Sequence, residues 1–319
     1  METRKNTKIN RELLVKVARM YYVEKLSQEQ IASRLFFSRS TVSNLLKRCE
    51  DENVVEFKIN DDIQSQKTLQ SIISDLYGLK TVVIVPTKPN EADRQQAITE
   101  AAARYLNRVV ENNMTIGIGW GTAINHISNL FPQSSSVYNC KIVQLMGSVR
   151  SSMSDIHVYM MLNKLAEQLH GEYYPLLVPL IVHDKSLHDT LLSDPSVEPV
   201  FSFHKKLDIS VVSLGMSSQD MSNILKSKCL SQEELEYAEM NGAKANLCGY
   251  FLDHNGKPYL SEINQRVMAI DLDILKKCPE RIGVAWGNDK IQTTTILKSG
   301  YITTLIIDEE SALSMLRFN

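Results

Sequence analysis

The sequence predicts an α/β protein in which a small helical head precedes a larger domain with a mostly parallel sheet. Two patterns indicate this architecture. Apolar residues recur at helical spacing through residues 11–48, whereas β-branched runs alternate with amphipathic helices beyond Gly78. At 319 residues the chain is long enough for both parts. We therefore divide it into a head, residues 1–60, a connecting helix, residues 61–78, and the sheet domain, residues 79–319.

Composition and cysteine usage narrow the class of protein. Hydrophobic residues make up 43% and charged residues 23% of the chain, and no apolar run reaches the roughly 18 residues that a membrane span needs. The first residues are polar and do not form an apolar signal core, so we expect a cytoplasmic protein. The five cysteines form no Cys-x-x-Cys pair, which argues against a disulfide framework and a zinc site.

The net charge of −2 is unevenly distributed. Residues 1–60 contain 12 Lys or Arg and 8 Asp or Glu, a net charge of +4, and the remaining residues contain 23 and 29, a net charge of −6. A basic head on an acidic body suits a polyanionic partner that binds at one end only.

Two helices are predicted at the start of the head. Apolar residues from Leu13 to Tyr21 lie on one stripe of a helix over residues 11–25. Ser27 and Gln30 have the spacing of a capping box, so a second helix begins after Ser27.

A third helix carries a polar face typical of DNA recognition. Ser38 is its N-cap candidate, and no acidic residue occurs between Ser38 and Cys49. Residues 54–59 then alternate apolar and charged, as the wing of a winged helix-turn-helix does. Each feature alone is common on solvated surfaces, but their order predicts a DNA-binding head. The candidate DNA-binding residues are Ser38, Arg39, Ser40, Thr41, Ser43, Asn44, Lys47 and Arg48.

Beyond the head, a connecting helix precedes a repeated strand and helix pattern. Leu69, Ile72, Ile73 and Leu76 are helix-spaced, and this helix is also a candidate for dimer contacts. A helix over residues 91–110 follows the first strand. Ligands of such sheets bind beyond the carboxyl ends of the strands. The predicted strands cover residues 81–85, 114–118, 141–145, 209–214, 281–285 and 303–307.

Four loops, residues 117–122, 144–148, 251–257 and 286–290, are candidate ligand sites. Glycines in the first loop allow backbone amides to approach an anion. Lys290 can neutralise a phosphate, and Asp253 can accept hydrogen bonds from sugar hydroxyls. The alternatives are plain: a single glycine loop is more often a tight turn, Asn255-Gly256 fits a hairpin turn, and exposed lysines usually serve solubility. The residues alone leave these readings open.

Patterns for cofactors, metals and catalysis are absent from the sequence. The glycine loop does not lie in the first βα turn of its domain, which excludes the usual NAD and Walker-type ATP signatures. His183 and His188 are five residues apart and have no acidic partner at helical spacing. No nucleophile elbow or Cys/His arrangement is present. We expect no cofactor, no metal and no enzymatic activity.

Several motifs follow one another along almost the whole chain. They lie at residues 18–22, 27–32 and 38–46 in the head, and at 119–122, 207–215, 249–253, 290 and 300–308 in the larger domain. In order and spacing they resemble the SorC/DeoR-type family of sugar-responsive bacterial transcriptional regulators, which join a helix-turn-helix to a C-terminal sugar-binding domain.

This resemblance implies a fold, an assembly and a ligand. The larger domain would share the fold of sugar-phosphate isomerases and deaminases, the chain would form dimers or tetramers, and the effector would be a phosphorylated sugar or a related metabolite. Asp253 and Lys290 would contact that effector. Backbone and hydroxyl contacts to the effector and its phosphate would come from Gly119, Gly121, Thr122, Gly147 and Ser148.

Three positions depart from the family pattern. Ala245-Asn246 stands where members usually have Gly-Asp, and Trp286 stands where a glycine is usual, so that an indole can narrow the site. Met146 offers no amine to form a Schiff base with an aldehyde. The identity of the effector therefore stays open.

We expect a DNA-binding regulator of a carbohydrate-utilisation operon that is controlled by a sugar or sugar-phosphate effector. Two alternatives remain. One is a sugar-phosphate isomerase-like enzyme fused to a DNA-binding head, and the other is a regulator that responds to a phosphorylated quorum-sensing signal.

Overall fold

A computed structural model divides the chain into two compact units, Met1–Asp62 and Ile63–Asn319. The residues it describes are 11–52, 54–55, 62–133, 136–149, 154–215, 221, 224–259, 262–285 and 290–317.

The first unit contains three helices. Helix α1 covers Arg11–Ala18 and continues as a π-helical turn over Arg19–Val23. Helices α2, Gln28–Leu35, and α3, Arg39–Asp51, follow. The first helix was predicted to run to residue 25, and in the structure its last part has the wider π-helical hydrogen bonding.

Side-chain caps begin α2 and α3. Ser27 accepts a hydrogen bond from the Gln30 amide while the Gln30 side chain accepts one from the Ser27 amide, so the predicted capping box is present. Ser38 caps α3 by accepting from the Thr41 amide at 3.1 Å. Both helices therefore start where the sequence predicts.

Packing between the three helices forms a small core. Leu14, Val17, Ile31 and Val42 are completely buried in it. Most of the predicted wing strand lies outside the described residues, and the two that are described, at 54 and 55, pack against this core in a bend.

The turn between α2 and α3 has an unusual residue. Phe36 has a φ of +58°, in the left-handed region, and its amide donates to the Ala32 carbonyl at the end of α2. Its side chain is 95% exposed. Glycine normally occupies such a position, because a Cβ is unfavourable in left-handed backbone.

The second unit is built on a seven-stranded parallel sheet within the described residues. Its seven strands are β1, Thr81–Val85; β2, Thr115–Ile118; β3, Lys141–Gln144; β4, Glu172–Tyr174; β5, Ile209–Leu214; β8, Glu280–Ala285; and β9, Thr304–Asp308. Their order in the sheet is β1-β9-β8-β5-β2-β3-β4. Strands β6, Ala245–Leu247, and β7, Tyr250–Leu252, form a separate antiparallel hairpin.

Helices cover both faces of the sheet, as a parallel sheet requires. Alternate residues of the strands face two different cores, so that Ile116 and Ile142 lie in one and Val143 and Leu305 in the other. The helices of this unit are α4, Asp62–Tyr77; α5, Glu91–Val109; α6, Thr122–Leu130; α7, Ser154–Gln168; α8, Lys185–Leu192; α9, Glu198–His204; α10, Gln232–Met240; α11, Leu272–Leu275; α12, Lys290–Lys298; and α13, Glu309–Leu316.

The predicted α/β class with a mostly parallel sheet is confirmed. Each of the six predicted strands is present to within one residue at either end. Strand β4 was missed, and the helix predicted as a connector, α4, buries Leu69 and Ile73 in a core of the second unit.

A buried histidine links α9 to the end of β3. His204 is 2% exposed, and its Nε2 lies 2.8 Å from the Gln144 carbonyl oxygen. Burial lowers the pKa of His204 to about 4, because a charged imidazolium would lose its hydration. Histidine is therefore neutral here at physiological pH.

We predict that Phe36→Gly stabilises the first unit. Glycine relieves the left-handed strain, and the exposed ring contributes no packing, so local opening of α2 and α3 should cost about 1 kcal/mol more. Hydrogen exchange of α2 and α3 amides in the full-length protein should slow by about fivefold. Phe37→Gly is the control, since Phe37 has no positive φ and is 38% exposed, against 95% for Phe36. Unchanged or faster exchange in Phe36→Gly would contradict the prediction.

A second prediction concerns stability against pH. Because the pKa of His204 is lower in the folded than in the unfolded chain, the unfolded state binds more protons between about pH 6.5 and 4, and stability is lost as the pH falls through that window. A shift of this size corresponds to about 3 kcal/mol. His204→Gln retains a donor for the Gln144 carbonyl but does not titrate. Urea unfolding followed by tryptophan fluorescence should show a flatter pH dependence for the variant, and identical slopes would disprove this role.

Candidate functional site

Helix α3 presents one apolar and one polar face. Val42, Leu45, Leu46 and Cys49 are buried in the core of the first unit. The opposite face is open to solvent and carries four predicted DNA-binding residues, which are Ser40, Ser43, Asn44 and Lys47. Within the described part of the chain, the Asn44 and Lys47 side chains form no hydrogen bond or ion pair.

The hydroxyl groups at the start of α3 are engaged with one another. Ser38 Oγ lies 2.7 Å from Thr41 Oγ1 and 2.8 Å from Ser40 Oγ, besides accepting from the Thr41 amide. Ser38 thus fixes the start of the helix. The positive end of the helix dipole remains exposed there, which favours a nearby anion.

Both predicted arginines of α3 form ion pairs. Arg39 Nε lies 2.9 Å from the Glu29 carboxylate of α2, and Arg48 pairs with Glu52 one turn further along. The Arg39 side chain is 71% exposed. An ion pair this exposed contributes little to stability, so a phosphate or a base edge can compete with Glu29 for the guanidinium.

The second unit has a crevice where the strand order reverses. From β2 the chain moves outward to β3 and β4, then returns to β5 beside β2 and continues the other way to β8 and β9. Open parallel sheets bind ligands at the carboxyl ends of strands at such a point. A cavity lies there, lined by Gly119, Trp120, Met146, Val212, Ser213, Gly215, Asn246 and Cys248.

The loop after β2 contributes backbone to this crevice. The Gly119 amide donates to the Val211 carbonyl at 2.9 Å, which extends the pairing of β2 with β5. Gly121, with a φ of +131°, occupies backbone that other residues rarely adopt and precedes Thr122, the first residue of α6. The amides that begin α6 therefore lie beside the carboxyl end of β2.

Trp120 and the loop after β3 form one wall. Trp120 Nε1 donates to the Gly147 carbonyl at 2.8 Å, which holds the indole against the loop. A Cβ at Gly147 would lie 2.5 Å from the Pro179 carbonyl oxygen, so packing alone requires glycine here. Ser148 Oγ accepts from the Gln144 side-chain amide at 3.1 Å. Gly147 and Ser148 are thus held by the protein itself.

Asp253 lies in a turn and is not among the residues that line the cavity. Its Oδ1 accepts from the amides of Asn255 at 2.8 Å and Lys257 at 2.9 Å, which closes the loop after β7. Gly256 in this loop packs on Thr295, in the last half of α12. Asp253 therefore acts as a turn residue in this structure, which is the alternative that the sequence left open.

The first turn of α12 lies next to the cavity. A Cβ at Gly215 would be 2.9 Å from the Gln292 side chain, which places this turn beside the end of β5. Lys290 begins the helix. Residues 286–289, including Trp286, lie outside the described residues. In the structure, Gly119 lines the cavity and the first turn of α12 lies at its edge. Asp253 is not part of the lining.

The candidate loops 117–122 and 144–148 contain Gly119, Trp120 and Met146 of the cavity lining, and Asn246 is one of the departures from the family pattern; the remaining lining residues were not predicted. Ser213 is the second-last residue of β5 and Gly215 directly follows this strand, so both could have been found by applying the strand-end rule to it. Cys248 comes from the β6–β7 hairpin, whose docking on the sheet has no local signal in the sequence. Burial raises the pKa of Cys248 to about 12, so this thiol is protonated and unreactive at neutral pH.

Among the described residues, no group of three His, Cys, Asp or Glu side chains is arranged to hold a metal ion. The described helices include none with the length and hydrophobicity needed for a membrane span.

Known proteins similar to this chain are regulators. The Sugar-bind family, described as "Putative sugar-binding domain", matches residues 61–317. The deoxyribonucleoside regulator of Bacillus subtilis is 28% identical over 309 residues, 95% of this chain and 97% of its own. The transcriptional regulator LsrR of Klebsiella pneumoniae is 29% identical over 96% of this chain and 93% of its own. The crystal structure of the sorbitol operon regulator SorC from the same species has a TM-score of 0.72 at 24% identity, covering 96% and 98% of the two chains.

These similarities confirm the resemblance to SorC/DeoR-type regulators that the motifs indicate. The family match covers the entire second unit except its last two residues and begins at the start of α4. This protein therefore belongs to the Sugar-bind family of sugar-binding domains.

Proposed function

We propose that this protein is a DNA-binding transcriptional regulator of a carbohydrate-utilisation operon, and that a sugar or sugar-phosphate effector controls it. The observation that carries the proposal is the combination of two features in one chain. In the first unit, a capped helix exposes hydroxyl, amide and basic groups. The second unit matches a sugar-binding family and has a crevice where the strand order reverses. Regulators that match this chain over more than nine-tenths of both lengths support the proposal.

The head is the DNA-binding part in this proposal, covering residues 1–60. Asn44 and Arg39 read base edges, because amide and guanidinium groups at the first turns of a helix match the hydrogen-bond pattern of the major groove. Lys47 and Arg48 contact phosphates, and Ser38, Ser40, Thr41 and Ser43 contribute hydroxyl groups. The excess of basic residues in residues 1–60 provides long-range attraction to the polyanion.

The effector binds in the crevice of the second unit. Gly119, Gly121 and Thr122 offer backbone and hydroxyl groups, and Lys290 at the start of α12 pairs with a phosphate. Gly147 and Ser148 shape the wall, and Asp253 contributes only if its turn opens. The protein acts in the cytoplasm, requires no cofactor, and binds its effector without chemical turnover.

Control requires an assembly with two arrangements. Helix α4 exposes Ile72 and Leu76, one turn apart and each nearly half accessible, which suits contacts between copies of the chain in a dimer or tetramer. An effector with different affinities for two quaternary arrangements shifts the spacing of paired recognition helices and changes operator affinity.

Substitutions in α3 test the DNA-binding part. Arg39→Ala and Asn44→Ala should weaken binding to the selected operator by about 10- to 100-fold and binding to random DNA much less, because they remove base contacts. Lys47→Ala should weaken both. Operators would be selected from a random duplex pool with the wild-type protein, and affinities measured at fixed salt. Lys67→Ala, which removes an exposed lysine of the second unit, is the control. Equal losses on all DNA for Arg39→Ala and Asn44→Ala would refute base reading.

A ligand panel tests the effector part. Sugars, sugar phosphates and phosphorylated signals should be screened by thermal shift, where a true effector at about 100 times its Kd raises Tm by about 5–10 °C. Lys290→Ala should abolish the response to a phosphosugar, whereas Lys298→Ala, at the other end of α12, should retain it. A flat panel would contradict effector control and leave DNA binding intact. Turnover of a sugar phosphate would favour the isomerase-like enzyme, and a response to phosphorylated signals alone would favour the quorum-sensing regulator.

A further inference from the structure

Phe36, in the turn between α2 and α3, combines two features that the fold of the head does not require. Its φ of +58° is an outlier for a bulky residue, and its side chain is 95% exposed. Exposure alone is common for single apolar residues on protein surfaces. Left-handed backbone at the same residue is different, because glycine would occupy this turn with less strain and without exposing a ring. The combination indicates a role other than folding.

Hydrogen bonds fix the backbone around Phe36. The amides of Phe36 and Phe37 both donate to the Ala32 carbonyl at the end of α2, the second at 2.9 Å. On the other side of the turn, the Ser38 side chain caps α3. An exposed side chain on such a fixed backbone loses less conformational freedom on binding a partner than one on a mobile loop does.

Phe36 also lies beside the start of the proposed recognition helix. It precedes the N-cap Ser38 by two residues, so that the two Cα atoms are at most about 7.6 Å apart. A recognition helix contacts base edges with its N-terminal residues, in a major groove about 12 Å wide. A side chain this close to the helix start therefore lies in the groove or at its edge when α3 is seated in DNA.

The charge around Phe36 favours DNA over a second copy of the chain. Residues 30–49 include four basic residues and no acidic residue, and the net charge of +4 on residues 1–60 makes two heads repel each other. Among the described residues of α2, α3 and their turn, Phe36 and Phe37 are the only exposed large apolar side chains. Contacts between copies of a chain normally use a larger apolar patch.

DNA presents apolar surface that a phenyl ring can cover. In the major groove this surface is the 5-methyl group of thymine, and along the groove edge it is the C–H surface of deoxyribose. A phenyl ring has no charge and no hydrogen-bond donor, so it does not neutralise phosphates or pair with polar base edges. Its contact therefore differs in kind from those proposed for Arg39, Asn44 and Lys47.

We propose that Phe36 is a further DNA-contact residue, whose ring packs on the apolar surface of the operator beside α3, either a thymine methyl group or a deoxyribose. This inference rests on the proposed function, since it assumes that α3 enters the major groove. It adds an apolar contact that the polar face of α3 does not supply. The left-handed strain is then a loss of stability that is retained for DNA affinity.

Two substitutions separate the ring from the strain. Phe36→Ala removes the ring but keeps a Cβ in left-handed backbone, whereas Phe36→Gly removes both. Each should weaken binding of the full-length protein to the selected operator by about tenfold, as expected for one partly buried phenyl ring. Only Phe36→Gly should slow hydrogen exchange of the α2 and α3 amides. A purely structural residue would instead change stability and affinity in the same direction.

Salt dependence and modified duplexes identify the contact. An apolar contact releases no counterion, so Phe36→Ala should leave the slope of log Kd against log salt concentration unchanged, whereas Lys47→Ala should lower it by about one. If the ring covers a thymine methyl group, deoxyuridine at that position should weaken wild-type binding and leave Phe36→Ala unaffected. If the ring covers a deoxyribose, no deoxyuridine has this effect, and Phe36→Ala weakens binding to operator and random DNA alike.

Val15→Ala is the control, because Val15 is an exposed apolar residue of α1 without positive φ. It should retain wild-type affinity. Operator affinities within twofold of wild type for both Phe36 variants overturn the inference. A loss in Phe36→Gly alone also overturns it, since backbone flexibility would then be the cause. So does a changed sedimentation coefficient of DNA-free Phe36→Ala, which would assign the ring to a contact between copies.

The outcomes separate this inference from the proposed function. DNA binding by the head still holds if the wild type binds the selected operator and Lys47→Ala weakens that binding, whatever the Phe36 variants do. A wild type that binds no duplex overturns both the Phe36 contact and the DNA-binding part of the proposed function.

Discussion

The pairing of β2 with β5 is the constraint on which the crevice of the second unit depends. These strands are far apart in sequence, yet Ile116 pairs with Ile209 and Ile118 with Val211 in a parallel register. Because all strands of a parallel sheet end at the same edge, this register brings the loop after Ile118 next to the residues that end β5. The chain continues in opposite directions from the two strands, which leaves a crevice between their carboxyl ends. The β6–β7 hairpin fills part of it and contributes Asn246 and Cys248 to the cavity.

Local patterns were sufficient to predict most of the fold. The strands of the central sheet are β-branched runs buried on both faces, and the caps at Ser27 and Ser38 are set by residues only three positions apart. Strand β4 escaped prediction because Glu172–Tyr174 is too short to show a periodicity. The π-helical turn after α1 carries no periodicity that distinguishes it from the α-helix before it.

The candidate sites were predictable to different extents, for a physical reason. The polar face of α3 follows from one helix and its spacing, so its exposed residues could be named from sequence. The crevice depends on contacts between segments distant along the chain, and only Gly119 of the residues predicted for the effector lines the cavity. Asp253 illustrates the difference, because the same residue types suit a sugar contact and an Asx turn, and the structure uses its carboxylate in the turn. Similarly, the Glu29 partner of Arg39 comes from another helix and could not be read from the sequence of α3.

The shortness of β4 also has a consequence for assembly. An edge strand presents a row of unpaired backbone amides and carbonyls that can recruit a strand from another molecule. Strand β4 offers only three residues for this purpose, and the first of them is Glu172, which is exposed. Two copies of this edge would form few hydrogen bonds. Joining subunits into one continuous sheet through β4 is therefore disfavoured, and helix surfaces are the better candidates for contacts between copies.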